Sequence, residues 1–161
     1  MGTELKYVIR EAREEDLDEV ININMISLKE HYPRSFWEDH LRTWNKAFLV
    51  AEASSRIVGY IMCRIESGFC YLRRGWCRLG HIISIAVHPN FRRKGIGTSL
   101  MLEALKRLKE IYNAKEVYLE VRVSNYPAIN LYEKLGFKKV KVLRYYYLDG
   151  EDAYLMAKEL S

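Results

Sequence analysis

Apolar residues recur along this chain with two different periods, and the changes of period divide it into strands and helices. Residues 7–10 alternate like a short strand. Residues 16–25 carry Leu17, Val20, Ile21 and Met25 at helical spacing. Ser35-Phe36-Trp37-Glu38 has the form of a capping box, which predicts a helix from there to Trp44. Residues 48–53 and 57–66 read as two strands joined by a Ser54-Ser55-Arg56 turn, and residues 67–78, with Gly68 and Gly75, as a loop. The run His81-Ile82-Ile83-Ser84-Ile85-Ala86-Val87 is an apolar strand stopped by His88-Pro89-Asn90.

Residues 96–112 form the clearest helix, with Ile96, Leu100, Ala104, Leu105, Leu108 and Ile111 in one apolar stripe. Residues 117–123 follow as a strand. Residues 127–135 make a short helix with Pro127 in its first turn and Gly136 just past its end. Residues 138–148 and 153–158 read as strands around Asp149-Gly150, a tight-turn dipeptide. The pattern predicts an α+β fold: a mostly antiparallel sheet with one parallel, right-handed strand–helix–strand unit.

Composition sets the limits. A chain of 161 residues, 49% apolar and 29% charged, suits a single domain over 1–161. No segment approaches the roughly 18 apolar residues that span a bilayer. The polar start lacks the apolar core of a signal peptide, so a cytoplasmic location is expected, with no membrane partner. Gly2 invites myristoylation, but no Ser or Thr stands at the sixth position. A net charge of +5 admits a nucleic acid, a ribosome or a polyanionic cofactor, and does not choose among them. Three cysteines argue against a disulfide framework. The spacing of Cys63, Cys70, Cys77 and His81 fits no zinc pattern, so buried or incidental thiols are expected and no metal.

Chemistry concentrates at Arg92-Arg93-Lys94-Gly95-Ile96-Gly97-Thr98, between an apolar strand and the best helix. Glycines let backbone approach a ligand closely, and unpaired N–H groups with the helix dipole favour an anion such as pyrophosphate. Read alone, the segment is equally a solvated basic helix start. It is not a P-loop, since Gly-x-x-x-x-Gly-Lys-Ser/Thr is absent, nor a dinucleotide fingerprint, because Leu100 stands where a third glycine belongs.

Arg92-x-x-Gly95-x-Gly97 matches the Gln/Arg-x-x-Gly-x-Gly/Ala signature of GNAT acetyltransferases. The later Asn125-x-x-Ala128-x-x-Leu131-Tyr132-x-x-x-Gly136-Phe137 matches another motif of that superfamily, in the right order. The resemblance covers essentially the whole chain. It implies the GNAT fold: a twisted, mostly antiparallel sheet with a central parallel strand pair, 81–87 and 117–123, that splays apart, flanked by about four helices. It implies acetyl-CoA as co-substrate, its pyrophosphate on Arg92, Arg93, Lys94, Gly95, Ile96, Gly97 and Thr98. Its pantetheine arm pairs with backbone of Ile85, Ala86 and Val87, and free N–H groups there also hold the oxyanion. Asn125 resembles a cofactor-orienting residue and also reads as a helix N-cap. Tyr132 resembles the tyrosine that protonates the leaving thiolate; without the family it reads as a packed helix aromatic.

For the base, His81 and Glu120 resemble the base-type residues of N-terminal acetyltransferases, and a carboxylate inside the apolar strand 117–123 is costly unless solvated or paired. Glu30, in Leu28-Lys29-Glu30-His31-Tyr32, resembles the glutamate of the L-P-E-N-Y loop of NatA-type catalytic subunits, although Lys29 replaces the proline and His31 the asparagine; otherwise it is an exposed loop acid. The stretch Tyr145-Tyr146-Tyr147-Leu148-Asp149-Gly150-Glu151-Asp152-Ala153-Tyr154 resembles the ending of the same subunits. There Leu28, Glu30, Tyr32, Tyr146, Tyr147 and Tyr154 would hold a protein N-terminus as substrate, unless the tyrosines merely make an aromatic hairpin. An α-amine, with a pKa of about 7.7–8.0 against about 10.4 for lysine, needs weaker base help.

The resemblance is to archaeal single-subunit relatives of NatA and RimI, which accept Ser, Ala and Thr termini and also Met-hydrophobic ones. It implies direct attack in a ternary complex, ribosome association as a further partnership, and a monomer or weak dimer. The rivals are a GNAT enzyme acting on an internal lysine or small amine, a CoA- or ribosome-binding module, and a nucleic-acid binder. The last has only Arg73-Arg74 and the 92–94 run behind it, without a stacking platform, so no specific nucleic acid is expected.

Overall fold

A computed structural model describes residues 5–160; Gly2 and the myristoylation question lie outside the described residues. Among the described residues, seven strands and four α-helices follow in the order β1 (Val8–Glu11), α1 (Leu17–Ser27), α2 (Arg34–Thr43), β2 (Phe48–Ala53), β3 (Arg56–Phe69), β4 (Trp76–Val87), α3 (Ile96–Glu110), β5 (Glu116–Arg122), α4 (Tyr126–Lys134), β6 (Lys138–Leu143) and β7 (Ala153–Glu159). The strands make one mixed sheet in the order β1-β2-β3-β4-β5-β7-β6. The pairs β1/β2, β2/β3, β5/β7 and β6/β7 are antiparallel, and β4/β5 is parallel through Leu79↔Glu116, Gly80↔Val117 and His81↔Tyr118. Such a mixed sheet is the α+β arrangement that the periodicity predicts.

The chain divides into two units, Met1–Arg64 with Ile82–Arg107, and Ile65–His81 with Leu108–Ser161. The first is built around Leu17, Val20, Ile23, Trp37, Phe48 and Tyr60. Trp37 is fully buried and meets the Tyr60 ring edge-on at 5.4 Å. The buried face of α1 is Leu17, Val20, Ile23 and Asn24, so the expected stripe is rotated: Met25 is exposed. α2 starts one residue before Ser35, because Pro33 at φ −60° and ψ 153° already sets the helix entry. The capping box at Ser35 and Glu38 is therefore absent, and Glu38 instead lies 3.7 Å from Arg34. α3 buries Ile96, Leu100, Met101, Ala104, Leu105 and Leu108 and ends before the half-exposed Ile111.

In the second unit β3 and β4 run on toward each other, and the expected 67–78 loop shrinks to residues 70–75. Cys70 and Cys77, whose meeting the sequence leaves open, are joined in a disulfide with Cα atoms 5.1 Å apart; Cys63 is free and buried. The count of three cysteines does not decide this, because a hairpin brings two of them together irrespective of the third. The Cys70 N–H donates to the Gly75 carbonyl at 2.9 Å, and Gly75 has φ +99°. β6 also differs: it stops at Leu143, and residues 144–152 form a folded loop in place of a two-residue turn at Asp149-Gly150.

Candidate active site

β5 is the organising strand. Its period of two puts Glu116, Tyr118, Glu120 and Arg122 on one face, while Val117, Leu119 and Val121 take the other. Each of the four polar side chains captures a different piece of the second unit. The parallel register sets His81 of β4 beside Tyr118, and the two rings stack with centroids 4.0 Å apart.

His81 lies between two carboxylates. Its Nε2 is 2.6 Å from Oε1 of Glu120, and its Nδ1 is 2.8 Å from Oε2 of Glu66 on β3. The Tyr118 hydroxyl donates to Oε1 of Glu66 in a short hydrogen bond. Burial opposes charge on the imidazole, but hydrogen bonding and attraction from Glu120 and Glu66 outweigh it, so the His81 pKa is raised. Burial, together with Glu66, pushes the Tyr118 phenol above its ordinary value. His81 and Glu120, expected from sequence, are thus in contact, while Glu66 and Tyr118 were not singled out. The alternation of polar residues in β5 was the available signal for Tyr118; nothing in the β3 sequence marks Glu66.

Glu116 is fully buried and accepts hydrogen bonds from the backbone N–H groups of Tyr71 (2.7 Å), Leu72 and Arg73 (3.1 Å). This clamp shapes the 70–75 loop and holds the Tyr71 ring 4.9 Å from Tyr118. Sγ of Cys70 and Cys77 and a Glu116 oxygen lie within 4.8 Å of one another. Both sulfurs are committed to the disulfide and the carboxylate to the loop N–H groups, so this trio is structural.

Arg122 fixes the 144–152 loop. Its guanidinium donates to Asp149 (2.9 Å) and Glu151 (2.9 Å) and lies 4.1 Å over the Tyr147 ring. Tyr147 meets Tyr146 edge-on at 4.9 Å, and the Tyr146 hydroxyl donates to Oε2 of Glu120 at 3.4 Å. Tyr154 sits on β7 opposite Val121, with the Lys139 ammonium 4.5 Å over its ring. Of the three tyrosines, Tyr146 reaches the His81 cluster directly. On α4, Asn125 is the N-cap, accepting from the Ala128 N–H at 3.3 Å. Tyr132 is buried, its ring centroid 5.9 Å from that of Phe137. Gly136, at φ +98°, closes the helix as its position predicts.

The first unit carries the other candidate residues. The 28–32 loop is pinned by Asn24, whose side-chain amide donates to the Glu30 carbonyl (3.0 Å) and to the Tyr60 hydroxyl (3.1 Å). Tyr60 in turn bonds Ser84 of β4 at 2.7 Å, and burial pushes its pKa up to about 12. Tyr32 stacks on Phe36 at 4.5 Å, and its hydroxyl donates to the Ile83 carbonyl at 3.5 Å. Glu30 and Leu28 are half-buried. Asn24 and Tyr60 were not anticipated; the polar Asn24 on the apolar side of α1 was the signal.

Between β4 and α3, Arg93 (φ +62°) and Gly95 (φ +82°) turn the chain through left-handed conformations, and Arg92, Arg93, Lys94 and Gly95 are exposed. The Arg92 guanidinium donates to the Val87 carbonyl at 3.0 Å, tying the turn to the strand. Ile96 is buried and anchors the helix start, whereas Gly97 and Thr98 are half-buried. Tyr7 bonds Ser99 at 2.7 Å behind Gly95. Among the described residues, a Cβ on Gly95 would meet the Tyr7 hydroxyl alone, at 4.0 Å, so these residues leave the turn's backbone open to a ligand.

The second unit thus holds an imidazole–carboxylate cluster able to accept a proton, and the first holds an exposed glycine turn suited to a phosphate-bearing ligand. Residues 13–137 match the acetyltransferase (GNAT) family. The chain is 57% identical over 157 residues to an N-alpha-acetyltransferase of Sulfurisphaera tokodaii, covering 96% of this chain and 94% of that one. Its structure is similar to Ard1 from Thermoplasma volcanium (TM-score 0.83, 32% identity, 96% of this chain and 98% of that one). It is also similar to a chain of the NatC complex bound to Gag peptide and CoA (TM-score 0.86, 25% identity, 98% and 100%). The chain therefore belongs to the GNAT family of acetyltransferases, and its co-substrate is acetyl-CoA.

Proposed function

We propose that this enzyme acetylates the α-amine of protein N-termini, with the whole chain acting as one catalytic domain. The observation that carries the reading is the 2.6 Å contact between His81 and Glu120, with Tyr146 of the 144–152 loop on the same carboxylate. A base beside a tyrosine-bearing loop suits an amine at the end of a peptide backbone. The relative named as an N-alpha-acetyltransferase and the similarity to a chain of a NatC complex that is bound to Gag peptide and CoA support it.

In this reading the amine gives its proton to the His81–Glu120 pair through a water. Its lone pair attacks the acetyl carbonyl carbon while the thioester remains bound in the same ternary complex. The oxyanion is held by backbone N–H groups of the strand ending in Ile85, Ala86 and Val87. The C–S bond then breaks, the departing thiolate takes a proton from Tyr132, and the second proton of the attacking nitrogen, lost as the amide forms, returns to Tyr132 through solvent. Arg92 to Thr98 cradle the pyrophosphate, and Asn125 orients the cofactor. Leu28, Glu30 and Tyr32 hold the first residue of the peptide, while Tyr146, Tyr147 and Tyr154 hold its backbone. Glu30 supplies a second carboxylate for small termini (Ser, Ala, Thr), and the His81–Glu120 pair serves Met-hydrophobic ones. The enzyme works in the cytoplasm as a monomer or weak dimer, and its net charge of +5 supports contact with the ribosome.

The test is CoA release from acetyl-CoA with peptides beginning Ser, Ala or Met-Leu, each with a free or blocked N-terminus and an internal lysine. Turnover is expected only with free N-termini. Turnover that survives blocking would transfer the assignment to lysine or small-amine acetylation.

The glycine turn gives a second prediction. A valine at position 95 must take up φ +82°, which costs an L-residue about 1–2 kcal/mol, and puts a side chain where phosphate approaches. That strain is carried by the free and bound enzyme alike and lowers stability, so it is the side chain in the phosphate's path that is expected to weaken acetyl-CoA binding in Gly95→Val, by about tenfold or more in calorimetry. Unchanged affinity in the folded variant would remove the turn from the cofactor site.

A further inference from the structure

The contacts of His81 impose a proton count. Both ring nitrogens face carboxylate oxygens, at 2.8 Å from Glu66 and 2.6 Å from Glu120. A neutral imidazole donates through one nitrogen only, so the other would set lone pair against lone pair. The cluster is satisfied when it holds one further proton, either as imidazolium or as a protonated carboxyl.

Glu66 is the better fixed of the two carboxylates. Its Oε1 accepts a short hydrogen bond from the Tyr118 hydroxyl while its Oε2 faces Nδ1, whereas the second donor to Glu120, the Tyr146 hydroxyl, is 3.4 Å away, so the ionised form is held more firmly at Glu66. The movable proton is then shared by Nε2 and Glu120, the contact that Tyr146 borders. We propose that Glu66 is a positioning residue for the acetyl transfer: it keeps a proton on Nδ1 of His81 and makes Nε2 with Glu120 the proton-accepting end of the cluster. This rests on the reading of His81 and Glu120 as the base.

The electrostatics agree. Glu66 is one of the two attractions that offset the burial of His81 and raise its pKa. The other groups facing the cluster are Tyr118 and Glu120 on β5, Tyr71 of the 70–75 loop, and Tyr146 of the 144–152 loop. Behind Tyr71 stand the Lys141 ammonium, 5.9 Å from its ring, and buried Glu116 on its backbone N–H. Among these, Glu66 is the group bonded to Nδ1.

Two substitutions shift the cluster in opposite directions. Glu66→Gln keeps an oxygen that accepts from Nδ1 but removes the charge, so the imidazolium is less stable and the pair gives up its proton at lower pH. The acidic limb of kcat should move down by about one pH unit or more. The plateau should fall several-fold because the base is weaker. KM for peptide and acetyl-CoA should stay within about twofold, since Glu66 does not bind either. Tyr118→Phe keeps the stacked ring but removes the donor to Glu66. That strengthens the hold of Glu66 on Nδ1, and the limb should move up. Glu66→Asp retains the charge and should restore part of the wild-type limb.

The decisive experiment is a pH titration of the His81 imidazole nitrogens by NMR in the free enzyme, with His81 resonances identified by their loss in His81→Ala. The midpoint is expected to fall in Glu66→Gln and rise in Tyr118→Phe. An unchanged midpoint in folded Glu66→Gln would overturn the proposal; if that variant does not fold, an unchanged or lowered midpoint in Tyr118→Phe overturns it. The titration needs no substrate. Opposite midpoint shifts in an enzyme that acetylates no peptide would uphold the role of Glu66 while rejecting the functional reading.

Discussion

Glu120→Gln is expected to lower kcat for acetylation of a Met-Leu- peptide by about 10²–10⁴-fold, the usual contribution of a positioned general base, with a smaller loss for Ser- and Ala- peptides, which Glu30 serves. Glutamine fills the same space on β5 and still reaches His81 and Tyr146, so the loss reports the missing proton acceptor. KM for acetyl-CoA should be unchanged, because no cofactor contact is assigned to this carboxylate. His81→Ala should produce a loss of similar size. The double variant should be little worse than either single one, since groups joined at 2.6 Å act as a unit. Losses that multiply would show two independent roles, and a Glu120→Gln enzyme keeping a third or more of its rate, by about the same measure, would remove Glu120 as base.

The second large effect is on stability. Removing the Glu116 side chain withdraws the acceptor for the N–H groups of Tyr71, Leu72 and Arg73 from a site with no solvent access. It also deprives the Arg73 guanidinium, 3.5 Å away, of its buried counter-charge. Glu116→Ala should therefore cost about 3–5 kcal/mol, from three backbone N–H groups left without their acceptor at about 1–3 kcal/mol each, while the partly exposed Arg73 keeps Glu159 at 3.8 Å. For a chain of this size that is a fall in Tm of about 6–20 °C. Glu116→Gln keeps one acceptor oxygen and should lie between the two. The disulfide keeps the ends of the hairpin joined in both variants, so the loss reports the clamp itself. Thermal unfolding with the disulfide verified intact is the measurement; a loss below about 1 kcal/mol would mean that water replaces the carboxylate.

Most of the elements were legible in the sequence because their burial follows one period. The α3 stripe, the apolar β4 run and the Pro127–Gly136 frame of α4 appear where expected. Helix boundaries shifted where a local conformation overrode a side-chain motif, as Pro33 did to the capping box at Ser35. Asp149-Gly150 misled because the dipeptide favours a tight turn only where nothing competes. Here Arg122 draws Asp149 and Glu151 to itself and makes a longer loop the better arrangement.

By itself the sequence determined the strand–helix order, the glycine turn at 93–97 and the placement of His81 and Glu120 on the two central strands. These depend on spacing along the chain, and spacing is what a sequence states. The tertiary structure alone decided that Glu66 completes the His81 cluster, that Glu116 closes over the 70–75 loop, and that Cys70 meets Cys77. Period-two patterning shows that Glu116, Tyr118, Glu120 and Arg122 share a face, but not what lies across from them. The parallel register of β4 with β5 and the path of the hairpin supply those partners, and both are settled by packing remote in sequence.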